Sequence, residues 1–201
     1  VSMLLHWSPR SPFVRKVMVF AHETGLAERI TTTRTPVAML KPHLDLMAEN
    51  PLSKIPTLRL EDGSVLYDSY VICEYLDTLQ DGPRLIPAEG PARFTELRRH
   101  ALATGFLDLL ILWRNERDRA QPLPALMDAF AVKTQAALAA VEAEIDAVPR
   151  GLAQFTLAVL GSYLDFRFAD LDWRAGCPRF AAFHAEFEKR PSMQATLVTE
   201  G

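Results

Sequence analysis

The sequence predicts a mixed α+β first domain over residues 1–80, a linker at 81–91 and an all-helical second domain over residues 92–201. Three observations carry this reading. Short apolar runs alternate with amphipathic stripes as far as Leu79. A stretch rich in glycine and proline, Asp81-Gly82-Pro83 through Pro91, then interrupts the pattern. Beyond it the apolar residues repeat at helical spacing. A mixed domain followed by a helical one is an α+β then α arrangement.

Each element has its own signal. Met3-Leu4-Leu5-His6-Trp7 is short, apolar and bounded by Ser8-Pro9-Arg10-Ser11-Pro12, which reads as a buried strand. Phe13, Val17, Phe20 and Ala21 then share a helix face, with Pro12 suited to the first turn, Ser11 to the N-cap and Gly25 to the stop. Glu28 to Thr33 reads as a second strand. Pro36 and Pro42 bracket a segment expected to hold a short helix. Thr57–Leu60 and Val65–Tyr67 are strands joined by the hairpin signal Glu61-Asp62-Gly63-Ser64. Val71, Ile72, Tyr75, Leu76 and Leu79 stripe the next helix. In the second half, helices are expected over Phe94–Asp118, Leu126–Val148 and Leu152–Phe166, the last apolar enough to be central. A final helix carries Phe180, Phe183 and Phe187 and ends at Arg190-Pro191.

Composition narrows the function classes. The chain has 201 residues, 49% hydrophobic and 23% charged, which is ordinary for a globular protein with a sizeable core. A net charge of −3 gives no electrostatic case for nucleic acid. The basic residues at Arg98-Arg99 and from Arg114 to Arg119 are interleaved with acids and read as solvated helix faces. The two cysteines, Cys73 in an apolar helical stripe and Cys177 in a turn, have neither metal-ligand spacing nor a disulfide framework, so no metal is expected. No apolar run is long enough to span a bilayer and no opening segment reads as a signal peptide, so the expectation is a soluble, cytoplasmic protein with no membrane partner.

Three segments carry possible chemistry. The first is Ser11-Pro12-Phe13. A helix N-terminus presents unpaired N–H groups and a partial positive charge, which stabilise an anion. A free thiol, pKa ~8.5, is only about 3% ionised at pH 7. Lowering that pKa by roughly two units, worth ~2.7 kcal/mol, makes thiolate the majority form. Taken alone, Ser11 reads as an ordinary cap, and it is the neighbouring motifs that turn the reading toward chemistry. The second segment is Asn50-Pro51-Leu52-Ser53-Lys54-Ile55-Pro56, where a proline at a strand start fits a cis bond or an edge strand. In the first case Ile55 offers its backbone to an extended peptide. The third is Asp68-Ser69, an acid and a hydroxyl at a helix start, suited to an ammonium and a carboxylate respectively.

Together these segments resemble the cytosolic glutathione transferase family, in its bacterial, serine-type form, over nearly the whole chain. The resemblance implies a thioredoxin-like first domain and a homodimer. It implies that glutathione is the co-substrate, that Ser11 is the catalytic hydroxyl with Ser8 as the fallback, and that the reaction is attack of the thiolate on a small apolar electrophile, as in detoxification. It gives Ile55 and Pro56 to the cysteinyl backbone, Lys54 to a ligand carboxylate, Asp68 and Ser69 to the γ-glutamyl group, and Phe13 to the same peptide site. Lys41 or His43 is the matching upstream basic residue. The second-substrate pocket is implied to lie between the domains, with Phe106, Leu110, Trp113 and Arg114 as candidates to face it, core or dimer packing being the preferred reading for any single one. A serine at position 11 argues against thiol–disulfide exchange, because a hydroxyl forms no mixed disulfide. A non-catalytic glutathione-binding or regulatory module, and a glutathione-dependent isomerase, dehalogenase or peroxidase, are the alternatives. The lack of Gly-x-Ser-x-Gly argues against a serine hydrolase. One departure from the family stands out. Its central helix usually opens on a Ser/Thr cap with an Asp three residues on, but here Gly151-Leu152-Ala153-Gln154 opens it, and a cap worth ~1 kcal/mol is expected to be partly lost.

Overall fold

The computed structural model describes residues 2–200. The chain divides into two compact units, Val1–Ile86 with Pro191–Gly201, and Pro87–Arg190.

In the first unit the order is β1 (Met3–Trp7), α1 (Pro12–Glu23), β2 (Ile30–Arg34), α2 (Leu44–Met47), β3 (Thr57–Arg59), β4 (Val65–Leu66) and α3 (Ser69–Leu79). The strands form one sheet in the order β2-β1-β3-β4, with β1 parallel to β2 and antiparallel to β3. Met3 and Leu5 alternate inward from β1, as period-2 patterning requires, and are buried with Leu58 of β3. Val17 and Phe20 of α1 and Ile72 and Leu76 of α3 are fully buried too, and the two helices pack together. A mixed four-stranded sheet with helices in this order is the expected thioredoxin-like fold.

The local signals acted as read. Ser11 is the N-cap of α1, extended at φ −85°, and its Oγ accepts from the Val14 N–H at 3.3 Å, with Pro12 following at the first helical position. Gly25 lies past the helix end at φ +73°, a conformation that costs glycine little. Two features differ. Residues 27–29 form a 3-10 turn, so β2 starts at Ile30. The short helix α2 falls beyond Pro42 rather than between the prolines, because the His43 Nδ1 caps it by accepting from the Leu46 N–H at 3.2 Å.

The first half of the expected linker is tied to α3. The buried Asp77 carboxylate accepts from the backbone N–H groups of Leu85 and Ile86, both at 3.0 Å, and from Arg84 Nε at 2.8 Å. The last residues were expected in the helical domain. Pro191 instead opens a further helix, α9 (Pro191–Gln194), grouped with the first unit. Ser192 Oγ donates to the Glu23 carboxylate at 2.6 Å, and the buried Arg15 donates to the Met193 carbonyl at 3.3 Å.

The second unit comprises α4 (Gly90–Arg117), α5 (Pro124–Glu144), α6 (Leu152–Arg167), α7 (Trp173–Gly176) and α8 (Pro178–Phe187). Helix α6 is its centre, with an unbroken buried run from Phe155 to Leu164. Trp113 stacks with Phe130 at a centroid distance of 6.3 Å and meets Phe168 at a tilt, 5.2 Å away. Phe106, Leu110 and Trp113 are buried side chains, in line with core packing, the preferred reading for each of them. No described helix is long and apolar enough to cross a membrane.

Candidate functional site

The sheet register brings the sequence-predicted residues to one end. Trp7 pairs with Arg34, His6 with Thr57, and Leu58 with Leu66. The chain therefore leaves β1, leaves β2, enters β3 and leaves β4 at the same end. Residues 8–11, 35–43, 54–56 and 67–69 all lie there. The α1 and α3 N-termini follow from that end as well, directly behind Ser11 and Asp68. Two helices of 12 and 11 residues thus bring the positive ends of their macrodipoles to one place.

Ser11 is half-buried. One of its lone pairs is taken by Val14, which leaves the hydroxyl proton available to a neighbouring acceptor. Ser8 is buried, and its Oγ receives the Arg10 N–H at 3.5 Å. It lines a hollow of about 90 Å³ with Trp7, Pro9, Arg15, Met18 and residues 195–197. Small-molecule sites run to roughly 300–1,000 Å³, so that hollow holds no tripeptide. Phe13 is half-buried, with the Lys16 Nζ 5.7 Å from its ring centroid.

The peptide bond between Ile55 and Pro56 is cis, and both residues are buried. The ladder between β1 and β3 ends at Thr57, so Ile55 lies beyond it. Asn50 holds this loop in shape. Its buried side-chain amide donates to the Lys54 carbonyl at 3.1 Å and to Thr57 Oγ1 at 2.9 Å, and its oxygen accepts from the Leu52 N–H. The Lys54 side chain is exposed. A second cis bond joins Tyr67 to Asp68. Asp68 caps α3 by accepting from the Tyr70 N–H at 3.0 Å, and Ser69 begins that helix, buried. An Asp68 oxygen remains for a cation while the other is engaged.

Glu49 stiffens this end of the sheet. It lies 3.2 Å from His6 Nε2 and accepts from Arg59 at 2.9 Å, while His6 Nδ1 lies 2.8 Å from Thr35 Oγ1. Cys73, on the buried face of α3, has its thiol pushed up to about 12 by desolvation, only partly opposed by the Lys16 charge. It is core, as its position in the stripe predicts. Among the described residues, no cluster of three or more His, Cys, Asp or Glu side chains is placed to hold a metal ion.

The sequence did not single out Arg10. It lines an open groove of about 590 Å³ with Pro36, Val37, Ala38, Lys41 and residues 42–45, which include His43. Its only sequence signal is its place between two prolines and two serines. Ser11, Lys54 and Ser69 are not part of that groove's lining.

Known proteins match this arrangement. The model of the glutathione S-transferase N-terminal domain matches residues 10–79, which span Ser11 to the end of α3. A glutathione transferase family member from Pseudomonas fluorescens Pf-5, crystallised with bound glutathione, is 42% identical. The match covers 98% of this chain and 100% of that one, with a TM-score of 0.94. The complex described with S-(propanoic acid)-glutathione matches over the same shares at 41% identity and a TM-score of 0.90. The uncharacterized GST-like protein YibF of Escherichia coli K12 is 31% identical over 123 residues, which are 60% of this chain and 56% of that protein's length. A sheet end built from the same segments, matched over almost the full chain at such identity, places this protein in the glutathione transferase family.

Proposed function

We propose that this protein binds glutathione at the shared end of the sheet and activates its thiol, beside Ser11, for attack on a small electrophile. The observation that carries the reading is the meeting of Ser11, the Ile55–Pro56 turn and the Asp68–Ser69 helix start at one sheet end. The Pseudomonas relative with glutathione bound, which matches along nearly the whole chain, supports it. A further complex there holds glutathione with a substituent on sulfur.

The chemistry follows from the groups present. The Ser11 hydroxyl donates to the sulfur while accepting from Val14, and that accepted bond polarises its own O–H. The α1 dipole adds positive potential at the same place. Both lower the thiol pKa, and the proton leaves to water. The sulfur then forms its bond to the electrophilic carbon as the leaving group departs with its electron pair. Ile55 pairs with the cysteinyl backbone. Ser69 and the α3 N-terminus take the γ-glutamyl carboxylate, and Asp68 takes the ammonium. Lys54, with His43, meets the glycyl carboxylate. Because His43 Nδ1 accepts from Leu46, its neutral form carries the proton on Nε2, free to donate. Phe13 and Pro56 bound the peptide site. The confinement of Ser8 to a small hollow favours Ser11 over it.

The test is Ser11→Ala assayed with glutathione and 1-chloro-2,4-dinitrobenzene. Loss of one donor to a developing or full anion costs about 10²-fold in kcat. Glutathione affinity, read by calorimetry, is expected to change by only a few-fold. Equal turnover in the variant would move the role to Ser8 or to backbone donors.

A further inference from the structure

Residues 192–199 run back along α1, from its last residue to the turn that precedes it. Ser192 Oγ donates to Glu23, the final residue of the helix, at 2.6 Å. The buried Arg15 guanidinium, one turn beyond Ser11, donates to the Met193 carbonyl at 3.3 Å and to Thr196 Oγ1 at 3.4 Å. Thr196 Oγ1 in turn donates to the Ser192 carbonyl at 2.8 Å. The Thr199 N–H donates to the Pro9 carbonyl at 3.4 Å. Contacts in antiparallel order thus follow the 12 residues of α1 over about 18 Å.

The turn they reach is the one that presents Ser11. Its own hydrogen bonds are long. The Ser11 N–H reaches the Ser8 carbonyl at 3.2 Å, and the Arg10 N–H reaches Ser8 Oγ at 3.5 Å. Packing supports the turn incompletely, because the hollow of about 90 Å³ is lined by Ser8, Pro9 and Arg15 together with residues 195–197. Atoms that border a void lack contacts on that side. We propose that residues 192–199 brace the Ser11 turn, and that Thr196 and Arg15 are positioning residues for the chemistry at the sulfur. This rests on the glutathione reading above. Arg15 and Thr196 fix the segment against α1, Thr199 carries it to Pro9, and Pro9 is two residues from the hydroxyl. A donor displaced by about 1 Å loses much of its effect on a reacting group. The Glu23 contact lies at the other end of the helix and serves stability alone.

The readout is the pH midpoint at which protein-bound glutathione ionises, followed by the ultraviolet absorbance of the thiolate. Turnover of 1-chloro-2,4-dinitrobenzene is measured beside it. Thr196→Val keeps the shape and removes the hydroxyl, whereas Thr196→Ser keeps the hydroxyl. Thr199→Pro removes the N–H that Pro9 receives, whereas Thr199→Ala keeps it. Thr196→Val and Thr199→Pro are each expected to raise the midpoint by about half a unit and to lower kcat about fivefold. Their glutathione affinity by calorimetry is expected to stay within about twofold of native. Thr196→Ser and Thr199→Ala are expected to match the native protein in all three measurements. Ser192→Ala is expected to lower stability in urea and to leave the midpoint where it was. A native midpoint and kcat in both Thr196→Val and Thr199→Pro overturns the proposal. An equal shift in Ser192→Ala also overturns it, because the segment then acts through general stability. If Ser11→Ala itself keeps the native midpoint, the assignment of the sulfur to Ser11 falls and the brace falls with it. A shifted Ser11→Ala beside unshifted brace variants removes the brace alone.

Discussion

The Glu96 carboxylate of α4 accepts a hydrogen bond from the Ala153 N–H in the first turn of α6, at 2.7 Å. Gly151, the N-cap residue, has no side chain with which to do this. A residue 57 positions away supplies the cap that the local sequence lacks. Burial holds the Glu96 carboxyl above its ordinary range, against the opposing pull of that hydrogen bond and of Arg99.

Two substitutions separate the bond from the charge. Glu96→Ala leaves the Ala153 N–H buried without a partner and is expected to cost about 1–3 kcal/mol in urea denaturation. Glu96→Gln keeps an acceptor oxygen and is expected to cost clearly less. The pH dependence has a definite sign. An acid whose folded pKa is raised binds its proton more tightly when folded, so its contribution to stability is greatest below the unfolded value of 4.5. That contribution falls as pH rises from there through the raised folded value. The stability of the native protein relative to Glu96→Gln should therefore decline on raising the pH across that window. A flat difference would mean that the carboxylate is fully solvated.

Asn50 is the corresponding device in the first unit. Its side chain spans three partners within the 50–57 loop. Asn50→Ala is expected to destabilise the protein by about 1–2 kcal/mol, because the Lys54 carbonyl keeps its second donor, Thr57 Oγ1 at 2.9 Å. Asn50→Asp retains the acceptor for Leu52 but turns an oxygen toward the Lys54 carbonyl, so it should cost at least as much at neutral pH. In both variants the glutathione KM is expected to rise more than kcat falls, because the loop that carries Lys54 and Ile55 loosens while Ser11 stays in place. The reverse split would separate this loop from peptide binding.

What was legible in the sequence was local. Ser11, Pro12 and Gly25 are punctuation whose meaning depends on a few neighbours, and the hairpin at 61–64 is of the same kind. The apolar stripes of α1 and α3 place Cys73 in the core before any coordinate is known. What was not legible depends on which distant segments meet. Glu96 looks like one more surface acid on a long helix until α6 is packed beside it. Pro191 reads as a stop because it ends a helix, yet the same ring suits the first position of α9. Arg10 has no periodic or motif signal, and its significance comes from the 36–45 segment that the parallel pairing of β1 and β2 brings to its end of the sheet. The same register argument, not sequence spacing, collects Ser11, Ile55 and Ser69.

Gly161 shows how tightly α6 meets α8. A β-carbon there would lie 2.3 Å from His184 Cδ2 and 2.7 Å from its Cγ, closer than real contacts allow. The imidazole is poorly placed to retreat. Its Nε2 lies 3.0 Å from Ser162 Oγ, its Nδ1 lies 3.1 Å from an Arg174 nitrogen, and the Trp173 ring meets it edge-on at 6.0 Å. Alanine improves helix propensity over glycine by about 1 kcal/mol, whereas overpacking a core costs roughly 1–3 kcal/mol. Gly161→Ala is therefore expected to destabilise the protein in urea denaturation despite the better helix former. Adding His184→Ala should relieve the clash, so the double variant loses less than the sum of the two single losses. Additive losses would mean that α8 shifts to admit the methyl group, and that the imidazole does not fix the spacing of these two helices.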